Sequence, residues 1–412
     1  MITAILIFAL TYLIICGRRL HFIRLGRPAG VMLGAVLMVA ARVITPAQAY
    51  ELVNWNTIVL LLGMMIIIEH LADAEFFELI AGWILGRGLS SRGLLAVVVF
   101  LIGSLAAFLV NDIVCIFFTP LLLVMLRRRS LPPLPFLLAL ATSANLGGLI
   151  AFTGNPQNMI IGHLSGISYA RFFVLMLPVG LLTLAVNYAL LVWMYRKELD
   201  KADGHPAAKE DIPSPKPLLK RSLLVTALVI AGFFAGGNMA WVALAGATLL
   251  LLLARREEVA VLRRIDWNLL VFFAGLFVVV GALSRSGATA YIAAAADRYI
   301  HGQSIASFWA FGAISVVCSN LFSNVPYVLV AAEWVEQLPD PTLMWYILAF
   351  ASTVAGNLTI LGSVANVIVV ERARGACDIG FGDFLRFGVP STVLNFVVGM
   401  AFLTLYHHLE WI

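Results

Sequence analysis

The sequence is short of charge. Of 412 residues only 12% are Asp, Glu, Lys or Arg, while 62% are hydrophobic and the mean hydropathy is +0.98. So few polar groups cannot cover the surface of a soluble chain this long, which excludes a soluble fold and indicates a polytopic membrane protein. Cysteine is scarce as well. Cys16, Cys115, Cys318 and Cys377 are scattered without CxxC spacing, which excludes a zinc knuckle and a disulfide framework and leaves small apolar packing as their role. HExxH and GxSxG do not occur, which removes two common enzyme types. No cofactor and no resident metal is expected. The formal net charge is +5, but in a membrane chain excess Lys and Arg sets topology, so no nucleic-acid partner is expected.

What is present is a repeat. An offset of 212 residues superposes Trp55 on Trp267, Asn56 on Asn268, Gly63 on Gly275, Asn145 on Asn357, Phe172 on Phe384 and Pro178 on Pro390. Apolar runs measured against the ~20 residues needed to span a bilayer lie at 1–16, 29–45, 56–73, 134–162 and 172–195, and again at 222–236, 239–254, 267–283, 342–370 and 384–406. Between the third and fourth run of each copy, at 93–127 and 303–335, two apolar arms of about 15 to 17 residues flank a polar tip. These read as re-entrant hairpins. Each copy then crosses five times, and an odd number inverts the second copy. The expected fold is all-α: two inverted five-helix repeats, 1–195 and 222–412, joined by a solvated cytoplasmic linker, 196–221, that carries four prolines.

Charge tests the topology. With the N-terminus outside, 22 of the 27 basic residues fall on the inner side, among them Arg18, Arg19, Arg24, Arg127, Arg128, Arg129, Lys201, Lys209, Arg255, Arg256, Arg263 and Arg264. Arg42, Arg171, Arg285 and Arg298 fall outside, and Arg386 sits at a helix mouth. The positive-inside rule thus supports ten crossings with both termini outside, although fourteen would have the same parity. Residues 1–16 lack a basic n-region and read as a first span rather than a removable signal.

The chemistry lies where polar residues interrupt apolar segments. The hairpins turn at Val110-Asn111-Asp112 and Ser323-Asn324-Val325-Pro326, and the fourth segment of each copy is broken at Thr153-Gly154-Asn155-Pro156-Gln157-Asn158 and at Gly362-Ser363-Val364-Ala365-Asn366. Backbone groups released at such places are tolerated at bilayer depth only inside protein or beside a water-filled cavity, and discontinuous helices aim half-helix termini at a ligand. Two tips and two breaks predict a four-cornered site. Single asparagines also serve helix packing, but matched interruptions in two copies favour function. Asp112 is the acid nearest these corners, and no Lys or Arg occupies them. It is a candidate for proton exchange, with helix capping as the structural alternative. Cys115, one turn on, could attract a thiophilic metalloid, but the second copy has no matching thiol and packing is favoured. Glu69, His70 and Asp73 end the third span, where interfacial solvation is expected.

These four stretches resemble the ion transporter superfamily, the clan of arsenite efflux permeases, citrate and dicarboxylate transporters and certain sodium/proton antiporters. The resemblance covers essentially the whole chain, and the Asn-Asp tip is most similar to arsenite/antimonite permeases. It implies inverted repeats, a homodimer in the bacterial inner membrane and an elevator-like transport domain. The expected function is secondary efflux of arsenite or antimonite, with Asp112 coupling protons and Asn111, Asn145, Asn155, Asn158, Asn324, Asn357, Ser363 and Asn366 contacting substrate. A sodium- or proton-coupled anion or carboxylate carrier is the alternative; a passive channel and a membrane enzyme are others.

Overall fold

The computed structural model describes residues 1–17, 26–201, 216–254, 258–288 and 304–412. Arg18, Arg19, Arg24, Lys209, Arg255, Arg256, Arg298 and most of the expected linker lie outside the described residues. The first copy comprises α1 (Ile2–Gly17), α2 (Arg27–Ala40), α3 (Trp55–Asp73), hairpin arms α4 (Ser91–Leu109) and α5 (Asn111–Arg128), the two halves of a broken helix, α6 (Pro133–Gly148) and α7 (Pro156–Leu164), and α8 (Tyr169–Met194). The second repeats it as α9 (Pro217–Phe234), α10 (Met239–Ala254), α11 (Trp267–Arg285), α12 (Ile305–Phe322), α13 (Asn324–Val335), α14 (Pro341–Ala355), α15 (Val364–Ala373) and α16 (Phe381–His408). Each spanning run anticipated from hydropathy holds helix, the fourth of each copy in two halves and the second of the first copy, expected to reach 45, ending at Ala40. Four further helices, Pro46–Leu52, Phe76–Leu85, Arg196–Lys201 and Glu258–Leu262, are too short to register as spans.

Seven described helices are long and apolar enough to cross a bilayer. Large apolar side chains such as Leu13 (66% exposed) and Leu252 (72%) stand on the outside, where lipid rather than water must meet them. Trp55, Trp193, Trp241, Trp267 and Trp411 are exposed at helix ends, the place of an interfacial aromatic belt.

Helices α3 and α11 run antiparallel, which two ion pairs make explicit. Arg264, just before α11, grips Asp73 at the end of α3 through two contacts of 2.7 Å. Arg285, at the end of α11, lies 3.3 Å from Glu51, ahead of α3. Asp73 and Arg285 are equivalent positions, and their partners Arg264 and Glu51 fall one residue from equivalence, so a similar clamp with its charges exchanged closes each end. Each helix also packs on the other copy: α3 on α10 and α11 on α2. The glycines permit this closeness, since a Cβ on Gly63 would lie 2.8 Å from the Ala243 backbone and one on Gly275 2.7 Å from Val31. The expected solvation of the α3 end is replaced by burial and pairing. His70 is 1% exposed, and its Nδ1 donates to the Ile66 carbonyl at 2.8 Å.

The hairpin arms, 19 and 18 residues in the first copy and 18 and 12 in the second, differ from the 15 to 17 expected. Length alone would let several of them span, but the tips meet the breaks in the middle of α6–α7 and α14–α15, which makes the hairpins re-entrant. Each tip is one residue between two helices, at positive φ: Val110 at 62° and Ser323 at 74°. A β-branched residue there is strained.

The offset of 212 does not hold through the broken helices. Their starts, Pro133 and Pro341, their 3-10 turns, Phe152–Gly154 and Ile360–Gly362, and their restarts, Pro156 and Val364, are all 208 apart. The counterpart of Asn145 is therefore Thr353, and Asn357 is one helical turn out of register. The cause is the shorter α13, six residues less than α5, which brings the second broken helix in early.

Candidate transport site

The breaks are built alike. After α6 the chain extends at Ala151, turns through Phe152–Gly154 and restarts at Pro156, with the Asn155 side chain capping the Asn158 N–H at 2.8 Å. A Cβ on Gly154 would sit 2.4 Å from the Gly148 carbonyl oxygen. That carbonyl, released by the break, accepts from Asn158 Nδ2 at 3.0 Å. In the second copy Ser363 caps α15, and Asn366 Nδ2 donates to the Gly356 carbonyl at 2.7 Å. Gly148 and Gly356, like Asn158 and Asn366, are 208 apart. The cap residues reach across the repeats as well: Asn155 Nδ2 donates to Thr353 Oγ1 at 3.2 Å and Ser363 Oγ donates to Asn145 Oδ1 at 2.9 Å, the same contact made twice.

Asn145 is the hub. Its Oδ1 also accepts from Asn111 at 3.0 Å, and its Nδ2 donates to Asn357 Oδ1 at 2.9 Å and Asn366 Oδ1 at 3.0 Å. Four bonds use all the hydrogen-bonding capacity of one amide. At 2% exposure Asn145 has nothing left for a solute, so its geometry is that of a support.

A cavity of about 210 Å³ lies where the two tips and the two breaks meet. Of the residues expected at the site, Asn111, Asp112, Asn324 and Ser363 line it. Asn145, Asn155, Asn158, Asn357 and Asn366 stand behind them, each 0 to 2% exposed. Gln157 of the first break also lines it, as do Asp266 and Asn268, which lie outside the tips and breaks. For Asn268 the signal was there, in the repeated Trp-Asn pair that opens α3 and α11. Asn111 Oδ1 and Asn158 Oδ1 have no hydrogen-bond partner among the described residues. Cys115 is fully buried and outside this lining, as packing requires.

The electrostatics follow from the helices. The N-termini of α5, α7, α13 and α15 converge on the cavity, each carrying about half a positive charge. Two carboxylates, Asp112 and Asp266, line the same space, and no Lys, Arg or His does. Such a site offers backbone and amide donors to solute oxygens, and a carboxylate and amide carbonyls to solute hydroxyls. Among the described residues no cluster of His, Cys, Asp and Glu could hold a metal ion.

A membrane transporter is the class of protein that such a fold and site define. The family described as citrate transporters, CitMHS, matches residues 10–355, and this chain belongs to it. It is a multi-pass membrane transporter of a family that carries small anions, and not an enzyme. It is 31% identical over 92% of both chains to the silicon efflux transporter LSI3 of Oryza sativa subsp. japonica. It is 26% identical to a transporter named arsB of Dictyostelium discoideum, over 97% of this chain and 92% of that one. Among solved structures, the YdaH transporter of Alcanivorax borkumensis, described as having an unusual topology, shares the fold with a TM-score of 0.60 at 13% identity, covering 86% of this chain and 85% of that chain.

Proposed function

We propose that the protein exports a small uncharged hydroxylated acid, arsenous or antimonous acid, in exchange for protons. The observation that carries this reading is the lining of the cavity: two carboxylates and several amides, without a basic side chain. A polycarboxylate is usually met by Arg or Lys, and placing one beside Asp112 and Asp266 is electrostatically unfavourable. A neutral oxyacid has no charge to compensate and can both donate and accept, as the tips and breaks can. Silicic acid, implied by the name of the rice relative, belongs to the same chemical class. Asp112, 8% exposed among the helix N-termini, takes and gives the coupled proton; Asn111, Asn324 and Ser363 contact the solute, with Asn145, Asn155, Asn158, Asn357 and Asn366 supporting them. The repeats correspond to 1–195 and 222–412 around a cytoplasmic linker, 196–221. In this reading the chain sits in the inner membrane as a homodimer with both termini extracytoplasmic, and the tips and breaks move together as an elevator.

A second reading, a sodium- or proton-coupled citrate carrier, is favoured by the family description and by four converging helix N-termini, which suit an anion. Everted vesicles with an imposed pH gradient separate the two. Arsenite uptake that collapses with the gradient supports the first. Citrate uptake without arsenite uptake replaces it with the second.

A further inference from the structure

A second cavity, of about 220 Å³, lies at the N-terminal end of α3. It is the repeat counterpart of the first. Asn56, Thr57, Leu60 and Ala240 line it, while Asn268, Leu269, Phe272 and Pro28, each at an offset of 212, line the first. Because α3 and α11 are antiparallel and clamped at both ends, their N-terminal turns lie on opposite faces of the molecule, separated by a 19-residue helix of roughly 28 Å. Helix α7 connects the two spaces: Pro156 and Gln157 of its first turn line the first cavity, and His163 of its last turn lines the second.

The second cavity is polar without being charged. The Asn56 amide lies 3.5 Å from His163 Nε2, and Asn238 Nδ2 donates to Asn56 Oδ1 at 3.5 Å. Both contacts are long. Thr57 is 1% exposed, and its hydroxyl has no hydrogen-bond partner among the described residues. Tyr169 also lines the cavity, and its hydroxyl pairs at 2.9 Å with Thr153 of the first break. Amides, a hydroxyl and an imidazole, with no carboxylate, guanidinium or ammonium group, suit a neutral solute rich in hydroxyls.

We infer that this cavity is a second solute-binding site, on the extracytoplasmic face, taking the same class of small uncharged hydroxylated acid through Asn56, Thr57 and His163. Asn56 does on that face what Asn268 does at the mouth of the first cavity. The inference rests on the proposed function for the identity of the solute and for which face is extracytoplasmic, but not for the existence of the site or its place opposite the first.

Two measurements on the full-length protein in oriented vesicles test it. In a background with Cys16, Cys318 and Cys377 replaced by alanine and the buried Cys115 retained as its own control, Asn56→Cys and Asn268→Cys are treated with a membrane-impermeant maleimide from each face. They should react from opposite faces. Reaction from the same face, or no reaction of Asn56→Cys from either, overturns the inference. With arsenite supplied on one face and then the other, Asn56→Leu should raise the extracytoplasmic-to-cytoplasmic ratio of KM values about tenfold, and Asn268→Leu should lower it by a similar factor. An unchanged ratio in both variants overturns the binding role. Should wild type carry no arsenite, the proposed function fails, while the labelling pattern still decides whether the cavity is an outer vestibule.

Discussion

The Asn145 side-chain amide donates to Asn357 Oδ1 at 2.9 Å, joining two residues that share an identity and an offset of 212 but are not structural counterparts. Thr353 occupies the place equivalent to Asn145, and each position binds the cap of the opposite break. The bond between the asparagines breaks the twofold symmetry at the centre. It also leaves the copies unequal: Asn366 Oδ1 is taken by Asn145, whereas its counterpart, Asn158 Oδ1, has no partner among the described residues.

As a support with all four bonds used, Asn145 should be intolerant of truncation. Asn145→Ala leaves Asn111 of α5, Asn357 and Ser363 of the second break and Asn366 of α15 without a partner in a buried place, at a cost of about 2–5 kcal/mol. Thermal unfolding in detergent should show a clearly lower midpoint than wild type, together with lost transport. A wild-type midpoint with altered substrate affinity would make Asn145 a ligand instead.

Asn158→Ala and Asn366→Ala each remove an amide that holds a carbonyl released by a break, the Gly148 carbonyl keeping a second, longer bond from Asn155. Both should insert and fold yet transport arsenite at least tenfold more slowly, the effect of about 1.4 kcal/mol or more on the limiting step. Asn366→Ala should be the more destabilising, since it also strips Asn145 of an acceptor. Normal transport by both variants would return these residues to helix packing.

Asp112→Asn preserves shape and most hydrogen bonding but cannot ionise. If Asp112 carries the coupled proton, flux in everted vesicles driven by a pH gradient should vanish while substrate binding partly survives. The expected capping alternative fails in its strict form, since Val110 is the N-cap and Asp112 is the second residue of α5; if Asp112 only supports that first turn, Asn replaces it closely and activity should stay near normal. Undiminished gradient-driven uptake sinks the proton role.

Sidedness can be read with reporters. One fused after Lys209 should be cytoplasmic and one after Ile412 extracytoplasmic. A shared compartment would rule out an odd number of crossings per repeat, and the inverted arrangement with it.

Burial, reinforced by Asp378 and Asp383, pushes the Cys377 thiol in the connection between α15 and α16 above its ordinary value. Only the thiolate reacts quickly, so a raised value means less of it near neutral pH. The iodoacetamide rate at Cys377 should therefore have its midpoint at higher pH than that of an unstructured cysteine peptide. A midpoint at or below the peptide's would contradict this.

The membrane class, the helical spans, the hairpin tips and the breaks were all legible in the chain, because each follows from local properties. A bilayer demands long apolar runs, and a proline or a polar cluster inside one must interrupt it wherever the rest of the chain goes. Val110-Asn111-Asp112 and Gly154-Asn155-Pro156 needed no partner to be recognised. The inversion of the repeats followed too, since Arg264 and Arg285 had to lie on opposite sides. Tertiary structure alone decided register and role. The pairing of Asn145 with Thr353 depends on a shorter hairpin arm elsewhere, which a constant offset in the sequence conceals. Which asparagines face the cavity and which stand behind it depends on how two copies pack across their breaks. Asn111 and Asn145 are the same residue type, each within a turn of a helix end at the site. Only long-range contacts leave an acceptor of Asn111 unpaired while using every bond of Asn145.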